Sequence, residues 1–232
     1  MIFQDEKCVQ ISIPKTGTSS LYALINKIPI TDNIMDLVRK GGNHGLKHPK
    51  DHNYNFHTHG HFTFQQWEQF RAKETKYQHY PIFSFVRNPY DRLVSIFRAH
   101  YQTCDLSNFR QFCILFTTDD NLKIQAASTG KQLAPNFDRY SARKRFNTQS
   151  YFLQNKWGEI NIDFIGKLES LEEDYNKLRS INPLLPCYNK DYMINTSGDS
   201  TQTNYDGYYT DETRELTYEF FKQDFINFGY EK

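Results

Sequence analysis

The sequence predicts an α/β fold, a three-layer α/β/α arrangement with a central, mostly parallel sheet. Three observations carry this expectation. Short apolar runs suited to buried strands alternate along the chain with segments of helical periodicity. Two of those runs, ending at Ile13 and Val86, pass directly into short polar turns and then into helical patterns, the order expected of parallel strand–helix units. At 232 residues the chain can bury a sizeable core without disulfide staples. No internal repeat or linker divides it, so residues 1–232 read as one domain.

Taken in order, Lys7–Ile13 alternates as a short strand, and Leu21, Leu24, Ile25 and Ile28 mark the helix after it. Turns follow at Gly41-Gly42-Asn43 and His48-Pro49. Phe56–Phe64 alternates around a histidine cluster, and Trp67–Tyr77 is a charged, weakly amphipathic helix. Tyr80–Val86 is almost wholly apolar, as suits a parallel strand covered on both faces. Pro89 then starts a helix through Leu93, Ile96, Phe97 and His100. The stretch 103–148 has some helical pattern (Phe109, Phe112, Cys113, Phe116) and a basic cluster, Arg139, Arg143, Lys144 and Arg145. Ile160–Lys167 is a further strand, and Leu168–Ile181 a helix with Leu171, Tyr175 and Leu178 inward. A polar, turn-rich loop spans Asn195–Gly207. The last helix covers Thr210–Phe228, capped by Thr210 or Asp211, with Leu216, Phe220, Phe221, Phe225 and Phe228 on its apolar side.

Composition narrows the function classes. A net charge of +1, from 28 Lys plus Arg against 27 Asp plus Glu, argues against a general nucleic-acid binder, although a local anion patch stays open. No apolar run is long enough to span a membrane. Gln4, Asp5, Glu6 and Lys7 interrupt any leader-like apolar stretch at the N-terminus. Cys8, Cys104, Cys113 and Cys187 match no zinc framework and read as free, mostly buried thiols.

Two turns carry anion-binding chemistry. After the first strand come Pro14, Lys15, Thr16, Gly17, Thr18, Ser19 and Ser20. Backbone N–H groups at a helix N-terminus favour an anion, Gly17 admits close approach, the hydroxyls add donors and Lys15 adds charge. The pattern lacks the GK[ST] of a nucleoside-triphosphate loop. An ordinary Ser/Thr-capped helix is the alternative. After the buried strand come Arg87, Asn88, Pro89, Tyr90, Asp91 and Arg92, with Ser95 further on. Arg87 and Ser95 together could hold a phosphate, or Arg87 could simply pair with Asp91. Both turns follow strand carboxyl ends, where ligands bind in such sheets, so a ligand with two separated anionic groups is expected.

PKTGTSS followed some 70 residues later by FVRNPYDRLVS resembles the sulfotransferases that use 3′-phosphoadenylyl sulfate (PAPS), in particular the carbohydrate branch of heparan uronyl 2-O- and chondroitin sulfotransferases. His59-Gly60-His61-Phe62, Asp163 to Glu169 and the ending Tyr208 to Tyr230 are also similar to that branch. The resemblance implies a P-loop-containing fold. It implies that Lys15, Thr16, Gly17, Thr18, Ser19 and Ser20 hold the 5′-phosphosulfate of PAPS, and Arg87 and Ser95 its 3′-phosphate. It also implies that no metal is needed and that a hydroxyl, of a saccharide in this branch, accepts the sulfuryl group. With no leader ahead of the first strand, the expected location is cytoplasmic, as in a microbial or viral protein; a Golgi-lumen fragment is the alternative.

Six histidines, His44, His48, His52, His57, His59 and His61, crowd one stretch. They could form a metal site, supply a catalytic base, or make a solvated polar edge. The HGH resemblance points to His61 as the base that takes the acceptor proton, with His59 as its orienting partner or replacement. Lys15 would stabilise charge on the leaving phosphate. The basic cluster at 139–145 could dock an acidic sugar chain or be a solvated loop. Competing classes are a P-loop kinase, a metal-dependent hydrolase built on the His cluster, and a polyanion-binding module.

Overall fold

One four-stranded sheet has the order β1–β2–β3–β4. In this computed structural model, which describes residues 1–27, 61–100, 106–118, 146–193 and 205–232, β1 (Ile2–Phe3) pairs antiparallel with β2 (Cys8–Gln10). Strands β2, β3 (Ile82–Val86) and β4 (Phe164–Lys167) run parallel. Val9 lies opposite Ile82, and Phe83–Val86 opposite Phe164–Lys167. Every residue of β2 and β3 is buried, as expected where helices and loops cover both faces of a parallel sheet.

Side chains, rather than apolar runs, set the strand ends. The run predicted over Lys7–Ile13 is regular only at Cys8–Gln10. Beyond it the Ser84 hydroxyl donates to the Ile11 carbonyl at 2.7 Å, a side-chain partner where a ladder bond would otherwise fall. Similarly, the Asp163 carboxylate accepts the Ile82 N–H at 2.7 Å, and the strand predicted from Ile160 begins at Phe164. Gly166 is required in β4 because a Cβ there would meet the Phe85 ring at 2.4 Å.

Seven α-helices occur among the described residues: α1 (Thr18–Ile25), α2 (Phe64–Arg71), α3 (Pro89–His100), α4 (Leu106–Thr118), α5 (Gln149–Leu153), α6 (Leu171–Ile181) and α7 (Asp211–Phe228). Thr63 and Gln66 form a capping box that opens α2 at Phe64. The alternating stretch Phe56–Phe64 thus ends in a helix start, and residues 56–60 lie outside the described residues. A 3₁₀ turn at Leu168–Ser170 precedes α6. There the Asp174 carboxylate accepts both the Lys167 N–H and the Ser170 hydroxyl, at 2.8 Å each. Thr210 caps α7 with a second capping box, and Gly229 ends it at φ +62°.

The chain divides into two compact units, Met1–Val86 with Phe152–Gly198, and Arg87–Tyr151 with Asp199–Lys232. The first contains the sheet. Its core joins Cys8, Phe83 and Phe85 to Leu21 and Leu24 of α1 and to Tyr175 and Leu178 of α6. The second is aromatic: Tyr90, Phe97, Phe109, Phe112, Phe116, Phe221 and Phe225 form one buried cluster. Its rings meet edge to face, with Phe97 and Phe109 centroids 5.2 Å apart and Tyr90 and Phe225 5.0 Å apart. Most of the Phe residues are thus core, whereas among the described tyrosines only Tyr77, Tyr90 and Tyr175 are buried. Cys8 and Cys113 are free and buried, and burial pushes both thiols up to about 12. Cys187 is free and exposed, and Cys104 lies outside the described residues.

Candidate active site

In the first unit, β2 leads through Ile11–Ile13 into the turn before α1. Both Lys15 (φ +69°) and Gly17 (φ +76°) adopt left-handed backbone. The Thr16 and Thr18 hydroxyls each donate to the Ile13 carbonyl at 3.0 Å. Those two hydrogens therefore fold the turn onto itself, and the groups suited to meet an anion are backbone N–H donors and the Lys15 ammonium. Gly17 is the N-cap of α1 and places no side-chain hydrogen bond over its first turn, where helical N–H groups lack intrahelical partners. Ser19 is half-buried and Ser20 buried at the start of that helix.

Gly17 has a second reason to be glycine. A Cβ there would stand 2.6 Å from Cδ1 of Leu168, which follows β4. The segment Asp163–Leu168 thus anchors β3 at one end and lies against the Gly17 turn at the other. Gly17→Ala is expected to destabilise the protein by about 1–2 kcal/mol from the left-handed backbone alone, with Leu168 forced to another rotamer. Denaturant unfolding checks this; unchanged stability would contradict the close approach.

His61 joins the same turn. Its Nδ1 lies 2.8 Å from the carbonyl oxygen of Ser12. A carbonyl can only accept, so Nδ1 is the donor, and whenever the ring is neutral its lone pair is at Nε2. The ring is thereby oriented against the segment that leads into Lys15. His44, His48, His52, His57 and His59 lie outside the described residues, as do Arg139, Arg143, Lys144 and Arg145. Among the described residues, no group of three or more His, Cys, Asp or Glu side chains is placed to hold a metal.

In the second unit, Arg87 follows directly on β3. Its Nε donates to Asp91 Oδ2 at 2.7 Å, and both side chains are largely buried, at 16% and 13% exposure. The ion pair weighed as the alternative to phosphate binding is therefore present. It fixes the guanidinium plane. Asn88 caps the next helix, its Oδ1 accepting the Tyr90 N–H at 2.9 Å. Ser95 is half-buried on α3. The second arginine of the motif has another fate: Arg92 is fully buried, and its Nη1 donates to the Asn147 carbonyl at 2.9 Å. Burial pushes its pKa down to about 10.

Sequence reasoning missed two residues behind Arg87. Gln149 is fully buried. Its Oε1 accepts the Arg87 N–H and its Nε2 donates to the Arg87 carbonyl, each at 2.8 Å. Asp224 of α7, also fully buried, accepts the N–H groups of Gln149 and Ser150 at 2.7 and 2.8 Å and the Ser150 hydroxyl at 2.7 Å. Burial pushes its carboxyl above the ordinary range, while Arg92 and the three donors pull the other way. One signal was available: Asp224 shares the buried face of α7 with Phe221, Phe225 and Phe228, and a carboxylate in an apolar stripe calls for donors.

A family model described as "Sulfotransferase family" matches residues 1–231, and the chain belongs to that family. Its α/β architecture with a mostly parallel sheet is accordingly the P-loop type of fold. Carbohydrate sulfotransferase 12 of Mus musculus is 26% identical over 213 residues, covering 79% of this chain and 49% of that protein. Carbohydrate sulfotransferase 12 of Xenopus laevis is 28% identical over 200 residues, 75% of this chain and 47% of that protein. The chain spans about half the length of these curated relatives. No solved structure matches it.

Proposed function

We propose that this protein transfers the sulfuryl group of PAPS to a hydroxyl of a saccharide. The observation that carries the reading is the first-unit turn itself: Lys15 and a helix N-terminus at Gly17 follow directly on the segment whose Ser12 carbonyl is bonded by His61 Nδ1. Family membership supports PAPS as the donor, and the relatives' names support a carbohydrate acceptor.

In this reading Lys15, Thr16, Gly17, Thr18, Ser19 and Ser20 hold the 5′-phosphosulfate, and Arg87 with Ser95 holds the 3′-phosphate. Each motif follows the carboxyl end of a parallel strand, β2 for the first and β3 for the second, the kind of position at which ligands bind in open α/β sheets. His61 Nε2, with His59 as its partner or alternative, takes the proton of the acceptor hydroxyl as that oxygen bonds to sulfur. The bond between sulfur and the bridging oxygen breaks, and 3′-phosphoadenosine 5′-phosphate leaves with the electron pair. Lys15 and the turn's N–H groups meet the charge that grows on the leaving phosphate, so they stabilise the transition state more than the ground state.

Arg87→Ala is expected to weaken binding of 3′-phosphoadenosine 5′-phosphate by about 1.5–3 kcal/mol, the range for hydrogen bonds to charged groups. Titration calorimetry reads this directly, and an unchanged affinity would remove Arg87 from the donor site. The acceptor class is tested by transfer of labelled sulfate from PAPS to desulfated glycosaminoglycan chains; incorporation into no saccharide would overturn it.

Among the described residues no helix is long and apolar enough to cross a membrane. The cytoplasmic location expected from the sequence finds no support in these relatives.

A further inference from the structure

We infer that Gln149, held by Asp224, is the positioning residue that sets Arg87 for recognition of the donor's 3′-phosphate. The inference rests on the reading of Arg87 given above and adds a residue to it.

Arg87 is the first residue after β3, where ladder bonding ends. Its N–H and C=O both need partners, and both find them in one side chain, the Gln149 amide, at 2.8 Å each. This closed pair fixes the Arg87 peptide units on both sides of its Cα. Asp91 fixes the other end of the residue through Nε at 2.7 Å. Gln149 is itself immobilised. It is fully buried, and its own N–H donates to Asp224 Oδ2 at 2.7 Å. Asp224 takes two more donors from Ser150, so both its oxygens are engaged. The buried Asp224 thus fixes Gln149, Gln149 fixes the Arg87 backbone, and the Arg87 guanidinium stands at the end of the series. A guanidinium that recognises phosphate through two parallel bonds depends on such support, because a small error in its plane loses one of the pair.

A glutamine that merely filled the core would affect every ligand alike. One that positions Arg87 acts only on ligands carrying the 3′-phosphate. The test compares binding of 3′-phosphoadenosine 5′-phosphate and of adenosine 5′-monophosphate to the full chain by titration calorimetry, in the wild type, Gln149→Ala and Gln149→Glu. The glutamate variant keeps the side-chain volume and can accept the Arg87 N–H, yet as a carboxylate it cannot donate to the Arg87 carbonyl.

Wild type should prefer the bisphosphate. Both variants should reduce that preference by about tenfold, the scale on which an outer-shell partner acts on a binding group, with adenosine 5′-monophosphate affinity unchanged. Gln149→Glu, close in shape, keeps the test decisive if the alanine variant does not fold. Wild-type preference that persists in a folded variant, or a parallel loss for both nucleotides, would overturn the role of Gln149 and leave the reading of Arg87 standing. No preference in the wild type would overturn that reading, and this inference with it.

Discussion

Replacing Lys15 by alanine is expected to lower sulfate transfer by about 10²–10³-fold, the cost of removing one preorganised charge-stabilising group from a transition state. Folding should change little. Lys15 is half-buried in a turn held by two hydroxyls on the Ile13 carbonyl, and alanine meets the same strain as lysine at φ +69°. Lys15→Arg restores a cation of different shape and should recover only part of the rate. Turnover at saturating PAPS, measured beside thermal unfolding, separates the two effects. Wild-type turnover in Lys15→Ala would mean that the ammonium does not act on the leaving group.

His61→Ala should abolish most turnover, by about 10²–10⁴-fold for a lost general base, while donor affinity is preserved. Two contributions are mixed in that variant, because the ring also donates Nδ1–H to the Ser12 carbonyl. His61→Asn separates them: its amide can replace the Nδ1 donor but supplies no base. The account expects His61→Asn to be as inactive as His61→Ala, with the same affinity for 3′-phosphoadenosine 5′-phosphate as wild type. An inactive His59→Ala beside an active His61→Ala would exchange the two roles. Activity in both would place the base elsewhere.

The parts of the fold that were legible in the sequence are those that depend on neighbours along the chain. Tyr80–Val86 reads as a buried strand because its apolar run is local, and Pro89 and Thr210 start their helices where they were expected. The turn from Lys15 to Ser20 between β2 and α1 was visible for the same reason, since it is contiguous. Long-range hydrogen bonds were not visible. Gln149 meets Arg87 across 62 positions, and Asp224 meets Gln149 across 75, and no periodicity announces either pair. The motif arginines illustrate the limit: Arg87 and Arg92 look alike in the sequence, yet one is largely buried beside Asp91 and the other fully buried against Asn147. The alternation at Phe56–Phe64 gave no sign of the helix start, which the capping box of Thr63 and Gln66 sets at Phe64.

Donor choice bears most directly on the whole account. A thermal shift measured with 3′-phosphoadenosine 5′-phosphate and, separately, with ATP and Mg²⁺ distinguishes sulfuryl from phosphoryl chemistry. At about one hundred times its dissociation constant, a ligand bound to the folded state adds about 2.7 kcal/mol of stability. The account predicts a clear upward shift with 3′-phosphoadenosine 5′-phosphate that falls by at least about half in Arg87→Ala at the same ligand concentration, and none with ATP. Stabilisation by ATP and Mg²⁺ without any by the bisphosphate would contradict it.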